Sequence, residues 1–289
     1  MNLITSDGQL RTLIPHVFAT VEGEPTLFEI LYPFLETAED WAIQTFVSEE
    51  VFPQLTEAEV APLTKLVAYH AYMSAVPSLD LVLTPNGFGI VSNTNVVPAS
   101  KERVERLLAS LESERDGNIE QLIIRLSSRA EWRQTQQGKY FASTLFPFLS
   151  LCHRLAFREH LWDSYQKLHN SLIKIENVLA ETYFSQEQMT VFRNLVITQM
   201  RSAKPLEEQV IRTLQSYEMM LVSDMQVHPQ SFYDLVNNIR EHEELFPAWH
   251  SSSVAALYTP KVFKNKKNHP PIGFRRILIF KKLILLIKI

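Results

Sequence analysis

Apolar residues return every three or four positions over most of this chain, the spacing of helices that bury one face. Ser6-x-x-Gln9 ahead of Leu10, Leu13 and Ile14 predicts a short helix within residues 4–14. Thr26-x-x-Glu29 is a second capping box. Leu27, Ile30, Leu31, Phe34, Leu35, Ala38, Trp41, Ala42 and Phe46 follow it, so a long helix is expected, with a bend or a late start at Pro33. A third helix is expected from Thr56 to near Val76, with Leu63, Leu66, Val67, His70 and Ala71 on one face. There the period changes. Residues 79–83 and 88–92 are of strand type and flank Pro85-Asn86-Gly87, which predicts one β-hairpin between residues 79 and 93.

Helical spacing resumes at Val104, Leu107, Leu108 and Leu111. It continues at Ile119, Leu122, Ile123 and Leu126, past a predicted break or hinge at Asp116-Gly117-Asn118. A glutamine-rich join at residues 134–138 leads into a second helical half. Expected there are a helical run from Thr144 through Trp162 and Tyr165 and an apolar stripe over residues 172–184. A helix capped by Ser185-x-x-Gln188, another opened by Pro205, and two shorter ones near His228-Pro229 and Phe246-Pro247 complete it. The expected fold is mainly α, with helical halves at 1–133 and 134–260, one β-hairpin in the first, and a basic tail at 261–289.

The second half echoes the first. Tyr32-Pro33-Phe34-Leu35 recurs as Phe146-Pro147-Phe148-Leu149, and residues 55–67 align without gaps on residues 184–196, cap included. Either the chain is duplicated, or capped amphipathic helices resemble one another by physics alone. Under duplication the hairpin belongs only to the first copy, because Pro205 leads straight into helix.

Seven glycines argue against a glycine-rich sandwich, barrel or dinucleotide-binding fold. The single cysteine, Cys152, cannot pair internally, and residues 1–9 lack the basic and apolar regions of a secretory signal, so a cytoplasmic location is expected. Charge is unevenly spread. Residues 261–289 hold nine of the 28 basic residues and none of the 32 acidic ones, leaving 19 basic against 32 acidic in residues 1–260. A body that acidic disfavours nucleic acid as a partner. The apolar run in the tail is too short and too often interrupted by charge to span a bilayer, although lysine and arginine mixed with aliphatics also occur in membrane-surface helices. Its restricted composition is that of an arbitrary reading frame of AT-rich DNA, and the segment after Phe274 is expected to be adventitious.

No catalytic motif emerges. His153 and His160 would share a face of one continuous helix beside Glu159, with His169 further along, but the close pairings of structural zinc sites are missing. Glu241-His242-Glu243-Glu244 reads as a solvated helix face. Cys152 and His153 are adjacent on a helix and point about 100° apart, which is no nucleophile–base pair. Gly87-Phe88-Gly89 lacks the third glycine of a dinucleotide loop. The aromatic residues, among them Phe28, Phe34, Trp41, Phe46, Phe141, Trp162, Tyr165, Tyr183 and Phe184, sit at core positions of helices. No enzyme, cofactor or metal is expected.

At residues 79–93 and 98–106, and again at residues 152–162 and 181–188, the chain resembles a family of uncharacterised proteins of phages and prophages of anaerobic gut bacteria. The resemblance covers roughly residues 3–267; past Phe263-Lys-Asn-Lys-Lys267, similar to that family's closing motif, this chain runs on. Such proteins resemble head-tail connectors, or adaptors. The resemblance implies a non-catalytic ring subunit whose partners are copies of itself and portal or tail proteins. The hairpin residues Asn86, Gly87, Phe88, Gly89 and Ile90 are then the candidate contacts, with Phe88 and Ile90 foremost. The alternative reading is a cytoplasmic helical interaction module of prophage origin.

Overall fold

The computed structural model of the 289-residue chain describes residues 3–14, 23, 25–79, 81–84, 87–90, 100–155, 157 and 159–258. These residues are mainly helical and fall into two units. The first is built from the described residues of Met1–Tyr140 and Phe148–Asp163, the second from those of Phe141–Pro147 and Ser164–Ile289. Among the described residues no helix is long and apolar enough to cross a membrane.

The first unit opens with α1 (Asp7–Leu13), whose Ser6 hydroxyl accepts the Gln9 N–H. α2 (Leu27–Ala42) starts at a reciprocal Thr26–Glu29 box and runs through Pro33 without interruption. The missing N–H of Pro33 is outweighed by the stripe of Leu27, Leu31, Leu35, Ala38 and Ala42 that the helix buries. The expected helix does not reach Phe46 in one form. Its last turn, Ile43–Val47, widens to π geometry and closes with the Ser48 N–H on the Ile43 carbonyl at 2.8 Å, Ser48 standing at φ 87°.

α3 (Glu57–Ala75) packs on α2 and on α4 (Lys101–Leu126). α4 is continuous across Asp116-Gly117-Asn118, where a break was expected. The two side chains able to cap such a break are engaged otherwise: Asp116 accepts the Trp162 N–H and the Arg115 guanidinium, and Asn118 donates to the Glu114 carbonyl of its own helix. Between α3 and α4, a 3₁₀ turn (Val76–Ser78) precedes β1 (Leu81–Thr84), which pairs antiparallel with β2 (Gly87–Ile90), Leu81 opposite Ile90 and Thr84 opposite Gly87. Leu79, expected in the first strand, instead closes the 3₁₀ turn through its N–H on the Val76 carbonyl. Asn86, residues 91–99 and the tail from residue 259 lie outside the described residues.

α5 (Ala130–Gln134) and α6 (Gln136–Phe141) follow, and the Trp132 indole N–H donates to the Phe46 carbonyl within the π turn at 2.7 Å. The long helical run expected from Thr144 does not form; α7 is only Ser150–Arg154. Pro147 interrupts it, and the Leu145 backbone is already spent, its N–H on Glu176 and its carbonyl on Gln215, both at 2.6 Å.

α8 (Leu161–Leu179) has its residues from Ser164 in the second unit and ends in another π turn, Ala180–Phe184. The Ser185 N–H closes it on the Ala180 carbonyl at 2.8 Å, with Ser185 at φ 65°. α9 (Gln186–Ile197), α10 (Pro205–Val222), α11 (Pro229–Glu241), α12 (Pro247–His250) and α13 (Ala255–Tyr258) complete the unit. Here the Trp249 indole N–H donates to the Tyr183 carbonyl of the π turn at 2.8 Å. Of the two sequence echoes, Tyr32–Leu35 lies inside α2 whereas Phe146–Leu149 lies in the turn before α7, so that match joins unlike conformations. The other joins the capped starts of α3 and α9.

Candidate functional site

Glu105, Leu108, Ala109, Glu112, Ser113 and Asp116 recur at three- and four-residue spacings on α4 and so share a face. With Met73 near the end of α3, Pro77 in the 3₁₀ turn after it, and Glu159, His160 and Leu161 at the start of α8, they line a pocket of about 450 Å³ in the first unit. Its walls are apolar at Met73, Pro77, Leu108 and Leu161, and its polar groups are mostly acidic.

One buried cation organises those acids. The Arg115 guanidinium lies 2.7 Å from Asp116 and 3.3 Å from Glu112. Asp116 also accepts the Trp162 N–H at 3.2 Å, which ties the first turn of α8 to α4. Burial pushes the Asp116 carboxyl above its ordinary value, with Arg115 pulling the other way. Glu112 meets Nδ1 of His160 at 2.9 Å, and this contact raises the pKa of the imidazole. Asp163 stands three residues further on, in the first turn of α8. Donor atoms of Glu112, His160 and Asp163 all fall within 4.8 Å of one another.

Other residues singled out from the sequence disperse. His153 and His160 do not share a helix, since α7 ends at Arg154 and α8 begins at Leu161. Cys152 is fully buried with its thiol on the Leu161 carbonyl, and burial pushes it up to about 11, so no thiolate is available near neutrality. His169 is buried beside Ser143, and burial lowers it to about 4, leaving it neutral. His242 faces the Asn238 carbonyl at the end of α11, with Glu241, Glu243 and Glu244 exposed around it. Gly87, Phe88, Gly89 and Ile90 make up β2, while Asn86 lies outside the described residues.

Of this cluster, His160 and its neighbour Glu159 stand out in the sequence, whereas Glu112 and Asp163 do not. Asp163 carried a local signal, His-x-x-Asp at a helix start. Glu112 carried none, because it is 48 residues from His160. Also missed was a cluster in the second unit, where Glu176, fully buried, accepts Arg193 at 2.7 Å and faces the equally buried Glu218.

Residues 23–142 match a protein family of unknown function, DUF6712. That span holds α2 to α6 and the β-ladder. No curated protein and no solved structure matches the chain.

Proposed function

We propose that this chain is a non-enzymatic structural protein of phage type, a ring subunit joining a portal to a tail. The resemblance of residues 79–93, 98–106, 152–162 and 181–188 to phage and prophage proteins supports the reading, and one structural comparison carries it. Each unit has a long helix ending in a π turn, a serine at positive φ, a capped helix, and a tryptophan whose indole N–H returns to the π-turn carbonyl. We read them as two copies of one duplicated unit. In the second copy α9 and α10 are joined by residues 198–204; in the first, α3 and α4 are joined by residues 76–100, which hold the ladder. The connection of two such helices does not need so long an insertion, so the ladder serves something else.

Both strands of a two-stranded ladder are edges with unpaired backbone donors and acceptors, and such a ladder is marginal alone. Packing against a neighbour, by strand addition or by insertion, answers both needs. Successive copies joined head to tail close into a ring when the rotation permits. Light scattering on the full chain over a concentration series tests this. A closed ring, or a concentration-dependent approach to one, is expected, and Phe88→Asp with Ile90→Asp is expected to dissolve it while helix content by circular dichroism is unchanged. A mass that the double substitution leaves untouched counts against the ladder as the contact.

A further inference from the structure

We infer that Glu112, His160 and Asp163 form a binding site for one divalent transition-metal ion, with the pocket beside them as its open side. The inference does not rest on the adaptor reading. One imidazole and two carboxylates are the donor set of borderline ions such as zinc, cobalt and manganese, whereas magnesium and calcium sites are built from oxygen alone. An ion at about 2.0–2.2 Å from each ligand atom needs those atoms roughly 3–4 Å apart. Glu112 and His160 are already 2.9 Å apart, and no donor in the set is more than 4.8 Å from another. The His160 side chain is 66% exposed and Asp163 is exposed, so both turn freely to close the remaining distance.

The support is rigid where it must be. Glu112 sits mid-way along a 26-residue helix with its side chain 14% exposed. Arg115 holds it at Oε1, as outer-shell partners fix ligating carboxylates, yet lies closer to Asp116 than to Glu112. Asp116, through the Trp162 N–H, holds the segment that carries His160 and Asp163 against α4. Charge favours a cation: Glu105, Glu112, Asp116 and Glu159 line the pocket, Asp163 adjoins it, and Arg115 is the buried cation set against them. Three protein ligands leave a fourth position of a tetrahedral ion to water.

Calorimetric titration of the chelator-dialysed full chain with zinc chloride tests the site, with cobalt(II) as a spectroscopic probe. One equivalent is expected, with a visible cobalt band that zinc displaces. His160→Ala and Asp163→Asn are each expected to weaken binding at least about tenfold and to bleach the band. Both replace exposed side chains, and circular dichroism confirms that the helices persist. His242→Ala, at the end of α11, is expected to change neither readout. Absence of saturable binding, a His160→Ala titration like that of the parent, or a stronger response to magnesium than to zinc would overturn the assignment.

Discussion

Two carboxyl groups and one cation meet in the core of the second unit. Glu176 accepts the Leu145 N–H at 2.6 Å and the Arg193 guanidinium at 2.7 Å, while no N–H reaches either oxygen of the fully buried Glu218, whose neighbour is Glu176. An unpaired buried charge costs several kcal/mol, so one cation supports one carboxylate and the other carboxyl keeps its proton. Burial pushes Glu176 up to about 7 and raises Glu218 well above the ordinary range. Folded-state values above the unfolded one mean that the fold binds more protons than the unfolded chain. The stability is therefore fully present below the unfolded value of about 4.3 and is lost as pH rises through the folded values. The thermal midpoint is expected to fall as pH climbs from about 4.3 through about 7, and on through the higher folded value of Glu218. Glu218→Gln, which offers an N–H where the acid offered O–H, is expected to flatten that fall; melting curves across a buffer series check it, and an unchanged slope would remove Glu218 from the account. These acids were half legible. Glu176 lies on the stripe of Leu172, Ile175 and Leu179, and Glu218 on that of Leu214 and Leu221, so each helix announced an acid on its buried face. Which helices would face each other was written in neither stripe.

Helices are where the sequence spoke most clearly and where glycine misled it. Gly117 suggested a hinge because glycine costs a helix about 0.5–1 kcal/mol relative to alanine. Here the packing of Leu111, Ile119, Leu122 and Ile123 outweighs that cost and α4 runs straight through. A Cβ at Gly117 meets nothing within 4 Å, so Gly117→Ala is expected to stabilise by about 0.5–1 kcal/mol. Gly138 is the opposite case. A Cβ there would stand 2.0 Å from the Trp132 carbonyl oxygen and 2.7 Å from the Arg133 Cα, both backbone atoms that cannot step aside. Gly138→Ala is expected to destabilise by about 1–3 kcal/mol, and denaturant midpoints of the two variants, moving in opposite directions, check both. The π turns had no propensity signature, since one widened turn uses the residues of an ordinary helix end. Their trace was a short likeness, Thr-Phe-Val-Ser at residues 45–48 against Thr-Tyr-Phe-Ser at residues 182–185. That alignment is offset by 137 residues, whereas the capping residues of α3 and α9, Thr56 and Ser185, are offset by 129, because eight more residues, including the 3₁₀ turn Phe52–Gln54, separate turn from cap in the first unit. A gapless comparison therefore finds either the turns or the caps.

At the scale of the whole molecule, two forces are available for joining copies, and they respond differently to salt. Residues 1–260 carry 19 basic against 32 acidic residues, and residues 261–289 carry nine basic and none acidic, so the basic segment of one copy is attracted to the acidic body of another. That attraction is Coulombic, and between charges in water it is largely screened beyond about 10 Å at 0.1 M salt. Contact through the β-ladder depends on backbone hydrogen bonds and apolar burial, which salt leaves nearly unchanged. If the ladder is the contact, the mass of the full chain by light scattering is expected to stay the same from low to high salt. Phe88→Asp with Ile90→Asp is then expected to lower it in both. Were the mass instead to fall with salt in the parent and the double variant alike, the association would belong to the charged segment, and the ladder would lose its place as the joining element.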